Sequence, residues 1–146
     1  MNWKRIALGS LVGGIVLFVL EGIFGVLLTG RIYTAMLARL HLTMPSSTGA
    51  VLVDVAFSFI YAGLIAWLYA ALRPRYGAGP WTALRAAVAA WIPLQIIGTG
   101  YQVDLSMMPL RDGVVIAVSA LVMCGIVALV AGAMYREAEA GKAAAA

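Results

Sequence analysis

Two carboxylic acids, Glu21 and Asp54, lie inside long apolar stretches of the sequence. An ionised carboxyl at bilayer depth costs on the order of 3 kcal/mol, so each acid needs a polar partner or a functional role. In the second stretch Asp54, Ser58 and Tyr61 follow the i, i+4, i+7 spacing of one helix face. Two carboxyls held close together could share a proton or hold a cation. Paired carboxyls are also the groups of general acid/base catalysis.

The segments that must position these acids are long and apolar. Of the 146 residues, 64% are hydrophobic and 11% are charged, and the mean hydropathy is +0.99, which excludes a water-soluble fold. A membrane-spanning helix needs about 20 apolar residues. We predict one all-α domain, residues 1–146, with four transmembrane helices arranged as two hairpins. The predicted spans are about 6–29, 50–72, 81–100 and 113–135.

The connection between the first two spans is too long to be a simple turn. Its apolar positions recur at helical spacing: Tyr33, Met36, Leu37 and Leu40. This pattern predicts a short amphipathic helix at about 32–42 that lies on the membrane surface. In the third span Pro93 predicts a kink, because proline frees a helical carbonyl.

The basic residues predict the orientation in the membrane. One side carries Lys4, Arg5, Arg73, Arg75, Arg85, Arg136 and Lys142, and the other carries Arg31, Arg39 and Arg111. The positive-inside rule then places both termini in the cytoplasm, and we expect a bacterial inner (plasma) membrane. Because the basic residues are few and lie at helix ends, we expect them to meet membrane lipids rather than nucleic acid.

Helix geometry places the two acids at a similar depth. Glu21 lies roughly 22 Å along the first span from its cytoplasmic start, and Asp54 about one turn below the outer surface. Polar residues of the third and fourth spans reach the same level. We therefore predict a polar site opening outward, formed by Glu21, Asp54, Ser58, Tyr61, Gln95, Thr99 and Ser119.

Small residues predict where helices pack closely, because they let two backbones approach. On the first span Gly14 and Gly25 share a stripe with Glu21, so we expect this acid to face protein rather than lipid. The fourth span carries an unbroken seam of small residues: Gly113, Ala117, Ala120, Cys124 and Ala128.

Several kinds of chemistry are excluded by composition. The single cysteine, Cys124, cannot form an internal disulfide, and the single histidine, His41, lies outside every apolar run. We expect no metal site and no cofactor. Because no nucleophile or second catalytic group accompanies the acids, we do not expect an enzyme.

An internal repeat links the two predicted hairpins. A Thr-Gly pair stands at 29–30 and again at 99–100, and a proline precedes a glycine by four positions at both Pro45–Gly49 and Pro109–Gly113. These similarities are consistent with a duplicated hairpin. Local capping preferences before a helix would also produce them.

The layout resembles that of small four-helix proteins of bacterial inner membranes, and this resemblance covers the architecture only. Small multidrug transporters also have four helices and an acid in the first, but the outer position of Glu21, the long first connection and the second acid, Asp54, depart from their pattern.

Two functions fit these features. The first is an accessory or scaffolding subunit that packs against other membrane protein subunits or its own copies through small-residue seams. The alternative is a module that binds a small molecule, a cation or a proton, or a minimal transporter, using the carboxyl pair. The acids could also be purely structural and form a hydrogen-bonded group that fixes helix register.

Overall fold

A computed structural model describes residues 1–135 of the chain, and all regular structure in this part is helical. The helices are α1 (Trp3–Phe24), α2 (Gly30–Arg39), α3 (Thr48–Tyr76), α4 (Pro80–Trp91), α5 (Ile97–Asp104) and α6 (Leu110–Met134). A π-helical turn, Gly25–Thr29, joins α1 to α2, and a second, Ile92–Ile96, joins α4 to α5.

Four continuous helices of the described chain are long and apolar enough to cross a membrane, which confirms the all-helical prediction with four spans. They run over Trp3–Arg39, Thr48–Tyr76, Pro80–Asp104 and Leu110–Met134. The basic residues Arg136 and Lys142, counted above for orientation, lie outside the described residues.

The first helix extends beyond the predicted end of its span. Instead of stopping at the Thr-Gly pair and restarting as a separate helix, the chain stays helical for 37 residues. The pair lies at a π-helical turn, where the Gly30 N–H donates to the Gly25 carbonyl. One extra residue is absorbed there as a π bulge, and the helix does not end. The amphipathic segment is therefore an extension of α1.

The two halves of the chain repeat the same backbone features. Each first helix contains a π-helical turn, and the second of these turns contains Pro93, where the sequence predicts a kink. Each then ends in a Schellman motif, with His41 (φ 55°) or Ser106 (φ 57°) in the left-handed conformation. In both motifs the next N–H bonds to the carbonyl five residues back, at 2.9 Å. The sequence repeat thus coincides with a repeat of backbone geometry.

The bundle is centred on α3 and α6. Helix α1 packs against both of them, α4 packs against the same two, and α3 and α6 touch each other. Alanine dominates the buried core at these contacts: Ala62, Ala66, Ala70, Ala83, Ala86, Ala87, Ala90, Ala128 and Ala131. Such small side chains let the helices approach closely.

Two glycines set the distance between α1 and its neighbours. A Cβ atom placed on Gly13 would lie 3.3 Å from both Ala62 Cβ and Val127 Cγ1. One placed on Gly14 would lie 2.5 Å from a ring carbon of Phe59. A side chain at either position would require its neighbours on α3 or α6 to shift.

The small-residue seam of α6 faces the interior of the chain's own bundle. A Cβ on Gly113 would lie 2.7 Å from Val103 Cγ2, and the other four seam residues are buried: Ala117, Ala120, Cys124 and Ala128. Gly25 does not belong with them, because a Cβ there would meet nothing within 4 Å. Its place on a packing stripe was wrong, because α1 has diverged from its neighbours at this residue. The helical phase of Gly25 is regular, since its N–H bonds to the Glu21 carbonyl.

We predict that Gly13→Leu destabilises the protein by about 1–3 kcal/mol, because the new side chain overpacks the contact of α1 with α3 and α6. Gly98→Leu is the matched control, since a Cβ there meets nothing within 4 Å. Unfolding in mixed micelles of increasing denaturing detergent gives both free energies. Equal stability of the two variants would contradict the close contact at Gly13.

Candidate functional site

A partly open cleft of about 760 Å³ lies between the second half of α1 and helices α3 and α6. Most of its wall comes from α1, the first π-helical turn and the start of α2: Phe18, Val19, Glu21, Gly22, Phe24, Gly25, Thr29, Gly30 and Tyr33. The remaining wall comes from the connection before α3, from α3, from the second π-helical turn and from α6: Met44, Val51, Asp54, Phe57, Gln95, Ile116, Ala120 and Met123.

The cleft exists because α1 contacts its neighbours closely over only part of its length. Up to Leu17, which is buried, the inner face of α1 fits tightly against α3 and α6. Beyond this point Gly22 and Gly25 have no heavy atom within 4 Å of where a Cβ would stand. The space that α1 leaves at this end of the bundle is the cleft.

Glu21 is held by a short hydrogen bond across the α1–α3 contact. The Ser58 hydroxyl donates to Glu21 Oε2 at 2.6 Å, and Ser58 itself is buried. The same hydroxyl lies 2.9 Å from the Asp54 carbonyl oxygen, one turn back along α3. A hydroxyl has one proton and can also accept, so it can turn to the backbone and accept from a protonated Glu21. The pair therefore accommodates Glu21 with or without a proton.

The structure brings both acids to one cleft. Asp54 lies one turn before Ser58 on α3, and its exposed side chain lines the cleft with Glu21. Gln95 joins them from the second π-helical turn, and its Nε2 donates to Thr99 Oγ1 at 2.8 Å. Five of the seven predicted site residues thus line the cleft or bond to a residue that does: Glu21, Asp54, Ser58, Gln95 and Thr99. Thr99 is a buried support behind Gln95.

Two predicted site residues lie elsewhere. The Tyr61 hydroxyl accepts a hydrogen bond from Cys124 Sγ at 3.4 Å, deeper between α3 and α6. Ser119 is buried on α6, outside the face that lines the cleft. The depth of these residues along their helices could not show that they lie outside the site. The cleft begins where α1 diverges from its neighbours, and tertiary packing determines that point.

Aromatic walls are the feature that the sequence prediction missed. Phe18 and Phe24 flank Glu21 at three residues on either side, Phe57 follows Asp54 by three, and all three rings line the cleft. Residues three apart on a helix lie on nearly the same face, so this spacing was a usable signal. Tyr33 also lines the cleft, although the sequence assigned it to a surface helix.

The cleft has a single sign of charge. Among its described lining residues Glu21 and Asp54 are acidic, and none is lysine, arginine or histidine. Within residues 1–135 there is also no group of three His, Cys, Asp or Glu side chains arranged to hold a metal ion. The site therefore offers a negative centre in a mostly apolar, aromatic wall.

Comparison with protein-family models, with curated proteins and with solved structures found no match for this chain. Its function is therefore inferred from the site itself.

We predict that Ser58→Ala shifts the infrared carboxyl or carboxylate band of Glu21, because it removes the 2.6 Å hydrogen bond to Oε2. The band is identified as the one that Glu21→Gln abolishes. Thr99→Ala is the control, since that hydroxyl accepts from Gln95 and its loss should leave the band in place. An unchanged band in Ser58→Ala would mean that the two side chains do not bond in the membrane.

Proposed function

We propose that this protein binds a small organic cation with an apolar body in the cleft beside Glu21. The observation that carries this proposal is the pairing of two carboxyls, the only formal charges on the described cleft wall, with aromatic and aliphatic neighbours. This proposal develops the cation-binding alternative drawn from the sequence.

Size and chemistry both support a small organic ligand. A volume of about 760 Å³ lies within the range of ligand pockets, which hold drug-sized molecules in mostly apolar walls with a few polar anchors. Glu21 and Asp54 supply the anionic anchors. The rings of Phe18, Phe24 and Phe57 can contribute cation–π attraction and cover the apolar body of the ligand.

A bare metal ion fits this wall less well than an organic cation. Calcium binds six to eight oxygen ligands and magnesium demands six in octahedral geometry. Beyond the two acids, most of the wall consists of hydrocarbon and aromatic side chains. Such a wall favours a cation that carries its own apolar surface.

The membrane setting that accompanies this function is also a proposal. The chain crosses a bacterial inner membrane as two hairpins with both termini in the cytoplasm, as the basic residues favour. The cleft then opens in the outer leaflet, and the exposed Arg31 and Arg39 of α2 lie near the outer headgroups. A cation could reach Glu21 from the outer side or from the outer leaflet.

An accessory role in a membrane complex is the second candidate. The α6 seam does not support it, because that seam is used inside the chain's own bundle. The support comes from α5, where Gly98 and Gly100 are exposed and a Cβ on either would meet nothing within 4 Å. A helix of a partner subunit, or of a second copy, could approach closely there.

We predict that the purified protein binds tetraphenylphosphonium, a lipophilic cation, and that Glu21→Gln weakens this binding by about tenfold or more. The loss of a charge that lies in a partly desolvated cleft accounts for the size of the effect. Asp104→Asn is the matched control, because Asp104 is exposed on α5 and does not line the cleft.

Acidification provides an independent check in the same equilibrium dialysis. A proton on Glu21 removes its charge, so wild-type affinity should fall as the pH is lowered, and Glu21→Gln should respond less. Equal affinities of wild type and Glu21→Gln, or equal losses in Glu21→Gln and Asp104→Asn, would rule out Glu21 as the anchor.

The topology predicts that single cysteines at Ser47 and Gly77 react with an impermeant maleimide from opposite sides of the membrane. Both positions are exposed and flank α3, and the native Cys124 is buried and would be replaced by alanine. Reaction of both from the same side would exclude a membrane-crossing α3.

A further inference from the structure

Two arginines share one aromatic ring at the connection between α3 and α4. The Arg85 guanidinium carbon lies 4.6 Å from the centroid of the Tyr76 ring, and that of Arg75 lies 5.8 Å from the same centroid. Arg75 and Tyr76 end α3, whereas Arg85 lies in the second turn of α4. The ring therefore contacts cations from two different helices.

The backbone between these helices is fixed. Gly77 (φ 80°) and Gly79 (φ 144°) adopt conformations that favour glycine. The Thr82 hydroxyl donates to the Gly77 carbonyl at 2.9 Å, and the Gly79 N–H donates to the Tyr69 hydroxyl at 3.4 Å. These two hydrogen bonds tie the turn to α4 and to α3. The turn therefore determines the position of Arg85 relative to Tyr76.

No carboxylate of the described chain neutralises this pair. Neither Arg75 nor Arg85 forms an ion pair within residues 1–135, and both side chains are exposed. Cation–π contact with Tyr76 stabilises each guanidinium but leaves their charges unbalanced within the described residues. Guanidiniums beside one ring offer N–H donors to a phosphate, which accepts several hydrogen bonds at once.

We propose that Arg75 and Arg85, which both contact the Tyr76 ring, form a binding site for the phosphate of an anionic lipid headgroup. Trp81 is 75% exposed in the first turn of α4, and exposed tryptophan is typical of the membrane interface. It lies between Tyr76 and Arg85 in the sequence, where its ring can contact the upper part of a lipid chain. This neighbour favours a lipid over a soluble phosphate.

The lipid site is separate from the cleft. Asp54 and Tyr76 lie 22 residues apart on the continuous helix α3, which corresponds to roughly 33 Å along the helix axis. The lipid site does not depend on the cation proposed for the cleft. At this end of the bundle Arg75 and Arg85 then bind a defined ligand, instead of giving only a general attraction to the membrane.

The test is native mass spectrometry of the full chain titrated with phosphatidylglycerol or phosphatidylcholine. We expect wild type to prefer phosphatidylglycerol, and the double variant Arg75→Gln/Arg85→Gln to lose on the order of tenfold of that affinity. Arg31→Gln/Arg39→Gln removes the same charge from α2 and should keep the preference. Equal losses of phosphatidylglycerol affinity in the two double variants would mean that only the net charge matters, and would overturn the proposal.

Two further measurements separate a built site from a diffuse charge. Tyr76→Ala leaves the net charge unchanged but removes the shared ring, so it should weaken phosphatidylglycerol binding several-fold, whereas Tyr76→Phe should retain it. Full affinity in Tyr76→Ala would overturn the role of the ring. Displacement of the lipid by millimolar inorganic phosphate would identify a soluble anion as the ligand and overturn the lipid assignment.

Discussion

The close contact of α1 with α3 and α6 is the constraint on which the rest of the structure depends. Lipid is as apolar as the helix surfaces, so helices associate through fitted packing rather than through expulsion of water. Gly13 and Gly14 allow that fit, and a side chain at either would require its neighbours to shift. Beyond Leu17 the fit ends and α1 leaves the bundle core. The first part of α1 therefore packs tightly, and its second part leaves an opening. Both acids line that opening.

A carboxyl can be kept in such an opening because Ser58 meets it from α3. An unpaired acid at bilayer depth is expensive, and the 2.6 Å bond from the Ser58 hydroxyl satisfies one Glu21 oxygen. The Glu21 side chain also lines the cleft. A hydrogen-bonded group whose only role is to fix helix register would not need such an opening beside it. This position of Glu21 is the basis of the ligand proposed above.

Hydropathy, helical phase and small-residue spacing predicted the four spans, the buried α6 seam and the shared level of Glu21, Asp54 and Ser58. These features depend on regular helix geometry, which sequence spacing reports directly. The prediction failed where the geometry is irregular. The π-helical turn Gly25–Thr29 continues the helix and changes its phase beyond this point, and Tyr33 lies in the cleft wall. Gly25 keeps its helical phase but lies where α1 has left its neighbours. Tyr61 was predicted on the same helix face as Ser58, but its hydroxyl accepts a hydrogen bond from Cys124. The packing of α6 on α3 determines this contact, and helix spacing does not report it.

The two halves of the chain differ beside their π-helical turns. In each half a side chain within about one turn of the π-helical turn bonds to the next long helix. In the first half Glu21 accepts from Ser58, and in the second half Trp91 Nε1 donates to the Ala117 carbonyl at 2.8 Å. The Trp91 indole also packs against the core, so it occupies space with apolar bulk. Glu21 is followed instead by the open Gly22 and Gly25. The same backbone plan thus gives a filled contact beside Trp91 and an open acidic one beside Glu21.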